Sequence, residues 1–176
     1  MRKKNVDWIT LWWLFYLVAI AFLAGRLSAE VPALVNAQEI VTVAPVQHYD
    51  LLCEKVGAEY HICPELLEAM IEQESEGNPK AVSPGGDTGL LQVNPKWHKD
   101  RMDKLGVNDL TDPYGNVRVA TDYIAELFEQ YGDLPMVLMV YNGTADAEQR
   151  WTSGIYTDYA NQIMERAAEL EREHGK

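Results

Sequence analysis

From Trp8 to Ala24 the chain reads WITLWWLFYLVAIAFLA, 17 residues without a charge and apolar on every face, preceded by Arg2, Lys3 and Lys4. A stretch with no polar face is satisfied inside a core or in lipid, and this length is the short end of a membrane-spanning helix. Trp8, Trp12 and Trp13 cluster at its basic end, where indoles suit the headgroup layer and the cations stay cytoplasmic. Residues 1–25 are therefore expected to form a single-pass transmembrane helix, with everything after Arg26 outside the cytoplasm. The alternative is a cleaved signal segment. Val35-Asn36-Ala37 has the small residues that cleavage needs, but it lies 13 positions beyond Ala24.

Residues 26–48 mix small, apolar and proline residues with no sustained period and read as a spacer. Residues 49–176 remain, enough for one compact domain. The formal charge of the whole chain is -12; Arg2, Lys3, Lys4 and Arg26 against Asp7 leave residues 27–176 at -15. Such acidity excludes nucleic acid, whose phosphates need Lys and Arg, and fits a neutral or cationic partner. The only cysteines, Cys53 and Cys63, fall in the region placed outside the membrane, where they can form a disulfide or stand as two separate thiols.

The domain reads as mainly α. Helices are predicted over about 49–59, 64–75 with Pro64 in the first turn, 96–105, 115–131, 133–141 with Pro135 in the first turn, and 157–173. Residues 77–95 are rich in turn formers, with Ser83 to Asp87 as a tight turn and Leu90 to Val93 as a short extended piece, giving one irregular or hairpin-like insertion.

In the helix over 64–75, Leu67, Met70 and Ile71 form an apolar stripe, with Glu65, Glu68 and Glu72 expected around the solvated side. Glu74 follows Met70 by four and Ile71 by three, so it joins the apolar stripe at the helix C-terminus. Partial burial and the negative end of the helix dipole both disfavour its ionised form. The expected result is a raised pKa, as a proton donor near neutral pH requires. A frayed last turn would instead swing Glu74 into solvent.

The words around Glu74 resemble those of a known family. Glu74-Ser75, Asn78-Pro79, Ala81 to Pro84, Gly89-Leu90-Leu91-Gln92, Pro95 and Tyr141-Asn142-Gly143 occur in the order found in the soluble-type lytic transglycosylases, whose catalytic domain is lysozyme-like. The likeness covers about residues 49–170, and Val140 stands where that family has alanine. It implies a bilobal helical domain with a groove for peptidoglycan glycan strands, cleavage with formation of a 1,6-anhydro end, and no cofactor. By the same resemblance Glu74 is the catalytic acid and base, and Ser75, Gln92, Tyr141 and Asn142 contact substrate or orient the acid; Tyr156 and Tyr159, flanking the start of the last helix, are candidates for a sugar-stacking or hydroxyl contact. Ordinary roles compete with each: local backbone capping for Ser75, a solvated glutamine for Gln92, a helix stop at Asn142-Gly143, and a core tyrosine for Tyr159.

Two departures matter. Asp87 follows Gly86 where the family has alanine, and residues 87–97 also resemble the word around the second carboxylate of animal-type lysozymes and that of the transglycosylases of secretion and conjugation systems. Asp87 is therefore a candidate second carboxylate for a hydrolytic, muramidase-type reaction, or else the cap of a Gly-rich turn. Glu76-Gly77 replaces a small residue and an aromatic. His48, His61, His98 and His174 are dispersed without metal-ligand spacing, so no metal is expected. The expectation is a membrane-tethered transglycosylase, serving a secretion or conjugation apparatus. The alternatives are a hydrolase of similar shape and a non-catalytic wall-binding scaffold.

Overall fold

The computed structural model describes residues 49–176; the expected anchor over 1–25 and spacer over 26–48 lie outside the described residues. Among the described residues no helix is long and apolar enough to cross a membrane. Helices follow one another as α1 (Asp50–Tyr60), α2 (Pro64–Ser75), α3 (Lys99–Leu105), α4 (Pro113–Tyr131), α5 (Leu134–Tyr141), α6 (Ala147–Thr152) and α7 (Asp158–Glu173). The mainly helical fold expected from sequence is what forms.

Local chemistry sets most boundaries. Asp112 caps α4 by accepting from the Gly115 N–H at 2.7 Å with Pro113 next to it, and Gly132 closes that helix with φ +66°. Asp133 caps α5 through the Met136 N–H, and Thr157 caps α7 through the Ala160 N–H. Helix α3 starts at Lys99 rather than near 96, because Asn94 accepts from the Lys96 N–H and holds Pro95 to Trp97 in a turn. The short α6 has no sequence expectation behind it; its six residues are too few for a visible apolar period.

Helix α2 is the centre of the packing, lying against α1 and α7, while α4 packs on α1 and α5. Leu67, Met70, Ile124, Leu138, Met139 and Ile163 are fully buried, each worth about 1.5–3 kcal/mol of hydrophobic burial. Two of the glutamates expected on the solvated side of α2 are buried instead: Glu65 is 1% exposed and Glu68 8%. The C-terminal end of α7 covers them. Glu65 is held there by His174 Nδ1 at 3.0 Å, Lys176 Nζ at 2.6 Å and the Cys63 thiol at 3.0 Å. Burial works against its charge, but these hydrogen bonds outweigh it and hold the carboxyl at about 2.

The disulfide does not form. Cys53 is buried in α1, Cys63 is exposed at the start of α2, and both are free thiols. Each is pushed up first by burial, Cys63 to about 11.

Candidate active site

The turn-rich insertion is a loop folded into the core rather than a hairpin. Two isolated antiparallel bridges, Val82 to Thr88 and Thr88 to Val93, are its only strand-like pairings. Leu90 and Leu91 are fully buried, and a buried loop must find partners for every backbone group. Here helices supply them. Ser75 Oγ, on the last turn of α2, donates to the Leu90 carbonyl at 2.8 Å. Tyr141 Oη, at the end of α5, donates to the Leu91 carbonyl at 2.7 Å. Asn116, on α4, accepts from the Leu91 N–H at 2.8 Å.

Glu74 lies on that last turn of α2 and is half-buried. Its Oε1 accepts a hydrogen bond of 2.5 Å from the Tyr159 hydroxyl, contributed by the first turn of α7. Burial raises the Glu74 pKa; the Tyr159 hydrogen bond lowers it, the charge of nearby Asp87 raises it, and the balance is upward. Tyr159 and Tyr141 are themselves pushed up, first by burial and then by the Glu74 charge, so both phenols stay protonated donors.

Asp87 sits in the opposite electrostatic state. Ser83 Oγ donates to its Oδ2 at 2.6 Å and Asn94 Nδ2 to its Oδ1 at 2.8 Å. These bonds hold the carboxyl below its ordinary value, so it stays ionised, whereas Glu74 is shifted in the opposite direction. Both oxygens also serve the turn, since Ser83 Oγ in turn accepts from the Gly85 and Asp87 N–H groups.

Gln92 is not in an extended piece. Its φ is +44°, a left-handed conformation that a non-glycine residue adopts only where its surroundings enforce it. Its Nε2 donates to the Gly89 and Ala81 carbonyls at 2.9 and 3.3 Å, which leaves the amide oxygen as its free face. Asn142 ends α5 as an exposed residue with no side-chain bond among the described residues. Thus Glu74, Asp87, Tyr141 and Tyr159 are linked by hydrogen bonds or charge, Ser75 ties the Glu74 turn to the loop, Gln92 lies on that loop, and Asn142 follows Tyr141 at its edge.

Tyr141 also lines a cavity of about 450 Å³ with Trp97, His98, Arg101 and Tyr123. His98 packs against Tyr123 with the rings tilted and their centroids 4.7 Å apart, and its burial lowers its pKa, while Trp97 is 73% exposed. Sequence reasoning missed Asn116. The signal was present, since Asn116 precedes Ala120 and Ile124 by one and two turns and so falls on the apolar stripe of α4, where a polar side chain needs a buried task.

Residues 52–164 match the transglycosylase SLT domain. The chain belongs to that family. This SLT domain is 34% identical over 87 residues to the transglycosylase of Enterobacteria phage PRD1, a match covering 49% of this chain and 31% of the phage protein. It is 32% identical over 118 residues to the endo-type membrane-bound lytic murein transglycosylase A of Klebsiella pneumoniae, covering 63% of this chain and 58% of that protein. The matches thus span from about a third to three fifths of these relatives. Among solved structures, an inactive mutant of the lytic transglycosylase Slt of Pseudomonas aeruginosa aligns with a TM-score of 0.64 and 21% identity over 74% of this chain and 25% of that one. The 70 kDa soluble lytic transglycosylase of Escherichia coli aligns with 0.62 and 22% over 73% and 25%. At such identities the likeness to the SLT domain is one of fold.

Proposed function

We propose that the chain is a peptidoglycan lytic transglycosylase of the cell envelope, held at the membrane by residues 1–25, with Glu74 as its acid and base. The observation that carries this reading is a half-buried carboxyl with raised pKa, bonded to Tyr159 and facing the field of an ionised Asp87. Protonated Glu74 gives its proton to the glycosidic oxygen as the bond to the anomeric carbon breaks and an oxocarbenium-like centre develops. The resulting carboxylate then takes the proton of the C6 hydroxyl of the muramyl ring. O6 closes on the anomeric carbon, the 1,6-anhydro ring forms, and Glu74 is again protonated without water being consumed. Ionised Asp87 favours the positive centre electrostatically, and the Gln92 amide oxygen and Asn142 are available to glycan hydroxyl and acetamido donors.

The hydrolytic alternative needs Asp87 to attack or closely flank the anomeric carbon. Both its oxygens are engaged by Ser83 and Asn94, which favours the anhydro route. The kinship with proteins named as membrane-bound murein and phage transglycosylases supports the same substrate class, and a local wall-opening role for a secretion or conjugation apparatus accords with it.

Digestion of purified sacculi with the whole chain, followed by product mass analysis, tests the reading: anhydromuramyl ends are expected, and reducing muramic acid ends would reject it. Glu74→Gln should lower the rate by at least about 100-fold while glycan binding persists. Unchanged turnover in that variant would leave Glu74 without a catalytic role, and no turnover in either protein would point to a scaffold.

A further inference from the structure

We infer that Asn116 is a positioning residue for this reaction, fixing the loop over residues 88–93 against α4 so that the Glu74 carboxyl stays desolvated. The inference rests on the transglycosylase reading above and names a residue that reading does not use.

Asn116 is 0% exposed, and all of its amide is committed. Its Oδ1 accepts from the Leu91 N–H at 2.8 Å; its Nδ2 donates to the Thr88 carbonyl at 2.8 Å and the Leu110 carbonyl at 3.0 Å. One side chain therefore joins three stretches of chain: α4, the segment leading into it, and both ends of the Thr88–Leu91 turn. The fit is tight on the loop side. A Cβ on Gly89 would lie 2.3 Å from Asn116 Nδ2 and 2.2 Å from the Leu110 carbonyl oxygen, and Gly89 has φ +83°, so only glycine lets the loop approach this closely.

What the loop then holds is the site. The Leu90 and Leu91 carbonyls are the acceptors for Ser75 and Tyr141, and Gln92 is the next residue. Ser75 adjoins Glu74, and Tyr141 is close enough for the Glu74 charge to raise its pKa. With Asn116 in place, Leu91 is held at both its backbone groups, by Asn116 at its N–H and Tyr141 at its carbonyl, and the loop is bonded through the Leu90 carbonyl to Ser75, the residue after Glu74. Without those bonds the buried Leu110 carbonyl and the buried Leu91 N–H lose their partners, and the Thr88 carbonyl keeps only the Val93 N–H. The loop must then move towards water to recover them, and water reaches Glu74.

The chosen variant is Asn116→Leu, which keeps the size, adds no charge that could itself move Glu74, and removes the bonds to Leu91, Thr88 and Leu110. The whole 176-residue chain in mild detergent is compared with it at a temperature where both show full helical circular dichroism. Two readouts are taken: kcat/KM on sacculi, and the Glu74 titration followed by carbon NMR of the labelled carboxyl, assigned with Glu74→Gln. A fall of about 100-fold in kcat/KM, the usual cost of a 1 Å misplacement, is expected together with a downward move of the Glu74 midpoint. Loss of activity with an unmoved midpoint marks a merely destabilised protein and overturns the inference, as do wild-type values of both. Should Asn116→Leu not fold, Asn116→Ser, whose short uncharged side chain cannot span to all three partners, is judged by the same two readouts. An inactive wild type would sink the transglycosylase reading instead; the titration comparison alone then decides whether Asn116 shields Glu74, a midpoint shift supporting it and none overturning it.

Discussion

Two neighbours act on the Glu74 carboxyl in opposite directions, and each can be removed without changing its shape much. Tyr159 stabilises the ionised form through its hydroxyl, so Tyr159→Phe leaves burial and the Asp87 charge to raise the pKa further. Activity that depends on a protonated acid falls as pH rises through that pKa, and the alkaline limb of kcat/KM for Tyr159→Phe should therefore lie at higher pH than in the wild type. Asp87→Asn removes a repulsive charge, so its limb should lie at lower pH while anhydro product continues to form. Rate profiles on sacculi between pH 4 and pH 9 read both shifts. If Asp87→Asn instead abolishes turnover, Asp87 takes part in the chemistry directly and the hydrolytic route returns.

At the scale of elements, α2 and α7 are joined at both ends: Glu74 to Tyr159 at one, Glu65 to His174 and Lys176 at the other. The second junction makes the packing of these helices depend on pH. His174 is raised first by its hydrogen bond to Glu65, and the nearby Glu68 charge adds to this while Lys176 opposes it, so its contribution is full below its ordinary value of 6.5 and is lost as pH rises through the raised value. Glu65 is lowered, so its contribution is full above its ordinary value of 4.5 and is lost as pH falls towards about 2. The melting temperature gap between the wild type and His174→Ala should thus be widest between pH 4.5 and 6.5 and should close on both sides. A gap that does not vary with pH would show that His174 contributes packing alone.

At the scale of the whole molecule, a domain of this acidity has no electrostatic hold on anionic lipid, so the proposed membrane anchoring rests on the apolar run Trp8–Ala24 alone. The full chain should stay with membranes through alkaline carbonate extraction, whereas a chain starting at Tyr49 should be released; release of both would rule out the anchor. The sequence determined the helices long enough to show a period or a proline start, the apolar seat of Glu74 beside Met70 and Ile71, and the family words, because these depend on neighbours three or four residues apart. It did not reveal α6, the burial of Glu65 and Glu68, the free state of Cys53 and Cys63, or the grip of Asn116 on Leu91. The burial of Glu65 and Glu68 and the grip of Asn116 join positions that the chain brings together only when α7 closes over α2, or the 88–93 loop folds in against α4; α6 is too short to show a period, and the spacing of Cys53 and Cys63 does not fix their separation in space. A glutamate read as solvated is solvated only until another helix covers it, and which helix does so is set by the packing of the whole domain rather than by the glutamate's own neighbourhood.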